Sequence, residues 1–304
     1  MNFDFSDDLT LLRDQARRFM SEQCPTAAVR RVFERPGTDP GIDRALWRKV
    51  AEMGWLGTAV PEHDGGIGLG HEGLCVIAEE LGRALAPIPF ATSAYLAIEA
   101  IVSLGTPAQR AEYLPRLLSG ELIGTFALAE GHSEPGADAV AARWQAGRLT
   151  ADKWPVPDGN VADLALVAAR DDAGELALVL LALDAKGVQR EPLATLDTSR
   201  DHARLRCTDA PAARLGDAAC GWAAIQRLLD KAAVLYAFEQ LGGAQACLDM
   251  ATAYARERIA FGRPIGSFQA IKHKLADVYI AIELARSNAW NEPMGRPKAM
   301  RSRA

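Results

Sequence analysis

Two runs of apolar residues at helical spacing, meeting at a Gly-Arg-Pro break, constrain this chain more than any other feature. Val234, Leu235, Phe238, Leu241, Gln245, Leu248, Ala251 and Tyr254 recur roughly at the helical repeat. The spacing predicts a long helix that ends near Phe261. Gly262, Arg263 and Pro264 then break it, because glycine tolerates left-handed backbone and proline cannot donate inside a helix. A second helix is predicted from Ser267, a suitable N-cap, with Ile271, Leu275, Ala276, Tyr279 and Ile282 along one side. The corner gathers Arg256, Arg258, Arg263, Lys272 and Lys274 with Phe261 and Gln269. Two readings are open here. Cations, an aromatic ring and an amide beside a helix N-terminus suit a diphosphate. The same residues also make the solvated corner of an antiparallel helix pair.

With 304 residues, 49% of them hydrophobic, the chain can bury a sizeable core in about one to three domains. A net charge of −5 and the lack of a long basic run before the last residues argue against nucleic-acid binding. Cys24, Cys75, Cys207, Cys220 and Cys247 are scattered and form no C-x-x-C pair, so they read as free thiols in a reducing compartment and not as a metal site. The acidic start lacks the pattern of a signal peptide, and no stretch reaches the roughly 18 apolar residues that span a bilayer. A cytoplasmic protein is expected.

Residues 1–120 read as a helical domain. Leu11, Leu12, Ala16, Phe19 and Met20 line one face of a first helix that Pro25 ends, and Pro36 to Gly41 is a loop. Asp43 caps a helix carrying Leu46, Trp47, Val50 and Met53, closed by Gly54. The glycine-rich stretch from Val60 to Gly70 lacks both a preceding strand and a Walker lysine, so it reads as a structural turn. In the helix from His71 to Leu85, Glu79, Glu80 and Arg83 are placed on the outer face, as surface charge. Ala91 to Leu104 is an apolar helix, and Thr106 to Ser119 is a helical stretch that Pro115 interrupts.

Residues 121–225 change character. Apolar or alternating runs at 122–128, 149–154, 164–169, 176–183 and 203–207 are separated by Gly, Asp and Pro, with Asp171-Asp172-Ala173-Gly174 as a hairpin signal. They predict a small β-barrel or sandwich with no Rossmann unit. Helix returns over 226–290, and 291–304 reads as a basic, disordered tail in which four of the last nine residues are Arg or Lys.

The motif Arg258-x-x-Phe261-Gly262-x-x-Ile265-x-x-x-Gln269 resembles a turn shared by the acyl-CoA dehydrogenases. The Pro61-Glu62-x-x-Gly65-Gly66-x-Gly68 loop and the Leu114-Pro115-x-Leu117-x-Ser119-Gly120-Glu121 segment are similar to that family as well, and the likeness covers about residues 1–290. It implies an α+β fold: an N-terminal helical domain, a middle β-barrel or sandwich domain and an incomplete C-terminal helical bundle. It implies FAD as cofactor, an acyl-CoA thioester as substrate, an electron-transfer acceptor and a homo- or hetero-oligomer whose flavin site is shared between subunits. Arg258, Phe261 and Gln269 would contact the flavin of a neighbouring subunit. Phe126, Leu128 and Ala129 on one strand, with Trp154 and Val156 on another, would line the flavin in the same chain, and Asp230 would touch coenzyme A.

The residues also depart from the family's pattern. Ala129 stands where the family has a flavin-binding Thr, in a segment two residues longer that includes Ser133. Val156 replaces a Thr that donates toward the flavin N5, and Leu229 and Ala233 replace the Phe and Arg of the coenzyme A motif. The family's chemistry, α,β-dehydrogenation, needs a carboxylate to take the α-proton. One family position for that Glu aligns with Ala232, and the other falls in a segment beyond residue 304. Glu239 lies about two turns further along and reads as structural. No catalytic residue is assigned. Two functions from different classes follow: an acyl-CoA dehydrogenase, or a non-catalytic subunit that pairs with an active relative and completes a shared FAD site.

Overall fold

The computed structural model describes residues 7–34, 41–131, 134–197 and 200–291. The chain opens with helices α1 (Asp7–Gln23), α2 (Thr26–Phe33), α3 (Arg44–Glu52) and α4 (Gly70–Ala84). A π-helical segment (Ala91–Ile98) runs on into α5 (Glu99–Leu104), and α6 (Pro107–Leu118) follows. Strands β1 (Gly124–Ala127), β2 (Arg143–Gln145), β3 (Arg148–Pro157), β4 (Leu164–Arg170), β5 (Leu176–Ala182), β6 (Val188–Pro192), β7 (His202–Pro211) and β8 (Ala213–Arg214) form the middle. Helix α7 (Gly221–Glu257), the short strands β9 (Ile259–Ala260) and β10 (Arg263–Pro264), and α8 (Gln269–Asn291) complete it. The order is helical, then sheet, then helical. Most of the Pro36–Gly41 loop, Ser133 and the tail from 292 lie outside the described residues.

By contacts the described residues fall into two units, one within 1–25, 71–86 and 233–304 and one within 26–70 and 87–232. In the first unit α4 and α7 cross on glycine. A Cβ on Gly242 would sit 1.9 Å from the Glu79 carbonyl oxygen, and one on Gly82 would sit 2.0 Å from that of Glu239. Backbone therefore meets backbone at the crossing. Glu79 and Glu80 do not face solvent as their polarity suggested; both are buried. Consecutive residues on α4 point to different neighbours. Arg17 of α1 donates to Glu80 through Nε at 3.1 Å and Nη2 at 2.7 Å, and Arg286 of α8 pairs with Glu79. Arg83 pairs with Asp249 at 2.5 Å. Buried carboxylates are tolerated here because each meets an arginine. Phe238 of α7 packs edge-on against Trp290 of α8 at 4.6 Å.

In the second unit, Asp43 caps α3 as its sequence predicts, its Oδ1 accepting from the amides of Ala45 at 3.0 Å and Leu46 at 2.9 Å. The glycine-rich loop is a structural turn: Gly65, Gly68 and Gly70 are left-handed, and a Cβ on Gly66 would lie 2.0 Å from the Val60 carbonyl oxygen. Helix α6 does not break at Pro115; it continues through it to Leu118.

The sheet has eight strands in the order β6-β7-β3-β2-β4-β5-β8, with β1 running parallel beside β4. β4 and β5 pair antiparallel across the Asp171–Gly174 turn, where Asp171 Oδ1 accepts from the amides of Ala173 and Glu175. β2, β6 and β8 escaped the sequence reading because they are short, and β6 alternates poorly and is largely exposed. Beyond β1 the chain pairs with β3: the Trp154 amide donates to the Ala129 carbonyl at 2.9 Å, and the Gly131 amide donates to the Trp154 carbonyl at 2.8 Å.

Candidate functional site

The corner after α7 is not a simple break between helices. Ile259–Ala260 and Arg263–Pro264 pair antiparallel, and the two residues between them, Phe261 at φ 54° and Gly262 at φ 77°, both have left-handed backbone. Such a two-residue hairpin turn needs positive φ at both central positions, which glycine meets freely and phenylalanine only with strain. α7 ends four residues before Phe261, and Ser267 lies in a 3-10 turn and does not cap α8, which starts at Gln269. The turn holds Phe261 out at 95% exposure, edge-on to Phe268 at 6.1 Å. Arg258 and Gln269 are exposed beside it, and the Arg263 guanidinium lies over the Phe268 ring at 4.2 Å from its centroid. The hairpin thus brings the three residues of the motif to one open corner. An open cation, a ring and an amide suit the diphosphate and ring system of a flavin nucleotide.

The other expected flavin contacts belong to the second unit, and they are arranged differently. Leu128, Ala129 and Trp154 come together where the chain beyond β1 meets β3. The Phe126 and Val156 side chains, expected to line the cofactor, are packed inside the sheet at 5% and 0% exposure. β1 is buried on both faces, and a register shift between Lys153 and Val156 brings Val156 to the buried side of β3. The Ala129 carbonyl and the Trp154 amide and carbonyl are committed to each other and to Gly131. At Ala129 and Val156 this wall offers no side-chain hydroxyl.

Two groups here went unremarked in the sequence. Lys153 is fully buried; its Nζ donates to the Leu128 carbonyl at 3.1 Å and to Glu130 Oε1 at 2.6 Å. Burial pulls its ammonium below the ordinary value, and Glu130 opposes that shift. Glu130 also accepts from the amides of Ala141 and Ala142, which ties down the far end of the following loop. On the outer side, Arg204 of β7 grips Asp152 of β3 through Nε at 2.7 Å and Nη2 at 2.5 Å, with its guanidinium 5.3 Å from the centre of the Trp154 ring. Strand alternation was the signal available: Asp152 and Arg204 are both outward positions beside Trp154.

Asp230, the expected coenzyme A contact, is exposed on α7 and accepts from Gln226 Nε2 at 2.9 Å. Ala232 is 2% exposed and carries no carboxylate, and Glu239 is half-buried further along the helix. No group of three or more metal-ligating side chains exists among the described residues.

Comparison with known proteins decides the lineage. The family model for the acyl-CoA dehydrogenase N-terminal domain matches residues 6–121, and that for the C-terminal domain matches residues 219–293. The chain belongs to the acyl-CoA dehydrogenase family. Members are FAD-dependent oxidoreductases acting on acyl-CoA thioesters. Acyl-CoA dehydrogenase IpdE2 of Mycolicibacterium smegmatis is 33% identical over 93% of this chain and 75% of its own length. Isovaleryl-CoA dehydrogenase of Oryza sativa is 32% identical, over 82% of this chain and 64% of its own length. Among solved structures, a variant of the Tcur3481–Tcur3483 steroid ACAD superposes with a TM-score of 0.82 at 36% identity, covering 94% of this chain and 76% of that one. The ChsE4–ChsE5 complex of Mycobacterium tuberculosis gives 0.83 at 31% identity, covering 95% and 79%.

Proposed function

We propose that this chain is a subunit of an acyl-CoA dehydrogenase assembly and lends Arg258, Phe261 and Gln269 to an FAD site that a related subunit completes. One observation carries the reading. The hairpin presents Phe261, 95% exposed on left-handed backbone, between an exposed arginine and an exposed amide. The same chain's own wall has Ala129 and Val156 where hydroxyls belong, and Ala232 where a carboxylate would act as base. An exposed, strained aromatic is best explained by a ligand or partner that covers it.

In this reading bound FAD supplies the hydride acceptor for α,β-dehydrogenation. Arg258 would offer a charge-assisted hydrogen bond to the cofactor's diphosphate, Phe261 an aromatic face and Gln269 an amide beside it. Asp230, exposed on α7, would touch the coenzyme A of an acyl-CoA, and with Ala232 carrying no carboxylate the base for the α-proton would have to come from a related subunit. The names of the ChsE4–ChsE5 complex and the Tcur3481–Tcur3483 steroid ACAD pair two components, which supports a two-component assembly and makes a steroid acyl-CoA the first substrate to try. The proposed acceptor is an electron-transferring flavoprotein, as the resemblance to the family implies. A cytoplasmic location fits five free cysteines and the absence, among the described residues, of a helix long and apolar enough to cross a membrane.

The deciding experiment is a visible absorption spectrum of the purified chain, alone and co-expressed with a full-length relative, before and after acyl-CoA. The expected result is a flavin band only in the co-expressed complex, lost with Arg258→Ala. A band in the lone chain that bleaches with acyl-CoA would overturn the reading and leave a self-sufficient dehydrogenase.

A further inference from the structure

Helix α7 sets Ala224, Arg227, Leu228 and Lys231 on one face, because these positions recur at helical spacing. That face meets α5 across a cavity of about 140 Å³, which Glu99, Ser103 and Leu104 line from the other side. Part of the wall is apolar, since Ala224 and Leu228 are buried. The rest is charged. Lys231 Nζ lies 2.5 Å from Glu99 Oε1, and the Ser103 hydroxyl donates to the same oxygen at 2.7 Å. Arg227 is exposed and makes no hydrogen bond or ion pair among the described residues. Like charges four residues apart on a helix repel, and the one carboxylate that lines the cavity is drawn to Lys231. Two cations less one carboxylate leave the cavity with a single positive charge. Its donors are the open guanidinium of Arg227 and the Lys231 N–H groups that do not meet Glu99.

We propose that Arg227 and Lys231 form an anion subsite that holds a phosphoryl group of coenzyme A. The subsite rests on the reading that acyl-CoA meets α7 at Asp230, and it adds the residues that make such a meeting favourable. Coenzyme A carries several negative phosphate charges, and Asp230 alone would repel them. A cation must stand close by, and Ala233 offers none. Arg227 lies about one turn before Asp230, and Lys231 follows it directly. The guanidinium is a planar fork that matches two phosphoryl oxygens, and the ammonium adds a second charge. The cavity is several times the roughly 30 Å³ that one water takes up, so a phosphoryl group has room. Glu99 sets how much positive charge is left for it.

The test is isothermal titration calorimetry of the purified full chain with coenzyme A, dephospho-coenzyme A and inorganic phosphate. Wild type is expected to bind coenzyme A, and more weakly at high salt. Arg227→Ala is expected to weaken binding about tenfold, the scale of one charge-assisted hydrogen bond. Arg227→Lys is expected to restore part of the loss. Glu99→Gln frees Lys231 and is expected to tighten binding, which a merely structural role for the ion pair would not do. If dephospho-coenzyme A binds weakly and no longer responds to Arg227→Ala, the 3′-phosphate is the group held. If it binds fully and still responds, the group is the diphosphate; either outcome supports the subsite. Inorganic phosphate that binds through Arg227 while coenzyme A does not would overturn the coenzyme as occupant. Coenzyme A binding that is absent in folded wild type, or equal in wild type and Arg227→Ala, overturns the subsite. Should Arg227→Ala fail to fold by far-ultraviolet circular dichroism, Arg227→Gln and Glu99→Gln carry the same test. The shared-flavin reading fails separately, through flavin retention in the co-expressed complex that survives Arg258→Ala.

Discussion

Asp158 is the side chain whose behaviour depends most on its surroundings. It is fully buried beside Thr92, whose hydroxyl lies 2.7 Å from its Oδ2 and 3.2 Å from the Pro89 carbonyl. The Thr92 hydroxyl donates to Asp158, with the Pro89 carbonyl within reach of the same proton. Burial pushes its carboxyl up to about 6, against the pull of Thr92, Arg200 and His202. A folded carboxyl that holds its proton more tightly than the unfolded chain does, at about 3.9, adds stability that is full below about pH 4. That stability is lost as pH rises through about 6. Asp158→Asn is therefore expected to gain about 3 kcal/mol relative to wild type between pH 4 and pH 7.5. Urea unfolding at the two pH values measures it, and a difference that does not change with pH refutes it. Phe261 makes the complementary case. Its positive φ costs about 1 kcal/mol or more, so Phe261→Gly is expected to raise Tm while lowering flavin retention in the complex. A variant that loses stability instead would show that the exposed ring supports the hairpin.

At the scale of elements, the crossing of α4 and α7 is the contact least able to absorb change. The Cβ of Gly242→Ala would overlap the Glu79 carbonyl oxygen at 1.9 Å and approach the Arg83 amide at 2.8 Å. Both obstacles are backbone, so the helices must part, and a loss of about 1–3 kcal/mol is expected. Gly243→Ala is the matched control. Its Cβ would sit 3.6 Å from the Gly82 carbonyl oxygen, an ordinary contact, and alanine's better helix propensity is worth up to about 1 kcal/mol. Denaturant midpoints of the two variants should move in opposite directions; equal shifts would mean that the crossing is looser than drawn. The same crossing brings the buried Glu79 and Glu80 to arginines from two other helices. No helical wheel of α4 alone shows those partners.

Over the whole molecule, the unusual feature is how much of the last helices stays in water. Met250 and Tyr254 on α7, and Val278, Tyr279, Ile280 and Leu284 on α8, are all exposed. Exposed apolar residues around α8 and along α7 mark surface that something else covers. In a shared-site assembly the cover is a related subunit. The lone chain is therefore expected to self-associate in sedimentation velocity, and co-expression with a full-length relative to give one defined species. A lone chain that stays monomeric at high concentration, with no dye binding to apolar surface, would contradict this.

The sequence by itself settled the order of helix, sheet and helix, because the apolar period changes near residue 121 and changes back near 226. It also settled the cap at Asp43, the Asp171–Gly174 hairpin and the family, since these rest on residues close together in the chain. The tertiary structure alone decided what depends on neighbours distant in sequence. It buried Phe126 in a strand covered on both faces and Val156 beyond a register shift, paired Glu79 and Glu80 with Arg286 and Arg17, and laid Arg204 over Trp154 across a strand pair. It also turned a predicted break at Gly262 into a hairpin that holds Phe261 out. Local spacing tells which face of an element a residue occupies, whereas burial and electrostatics depend on what the fold sets against that face.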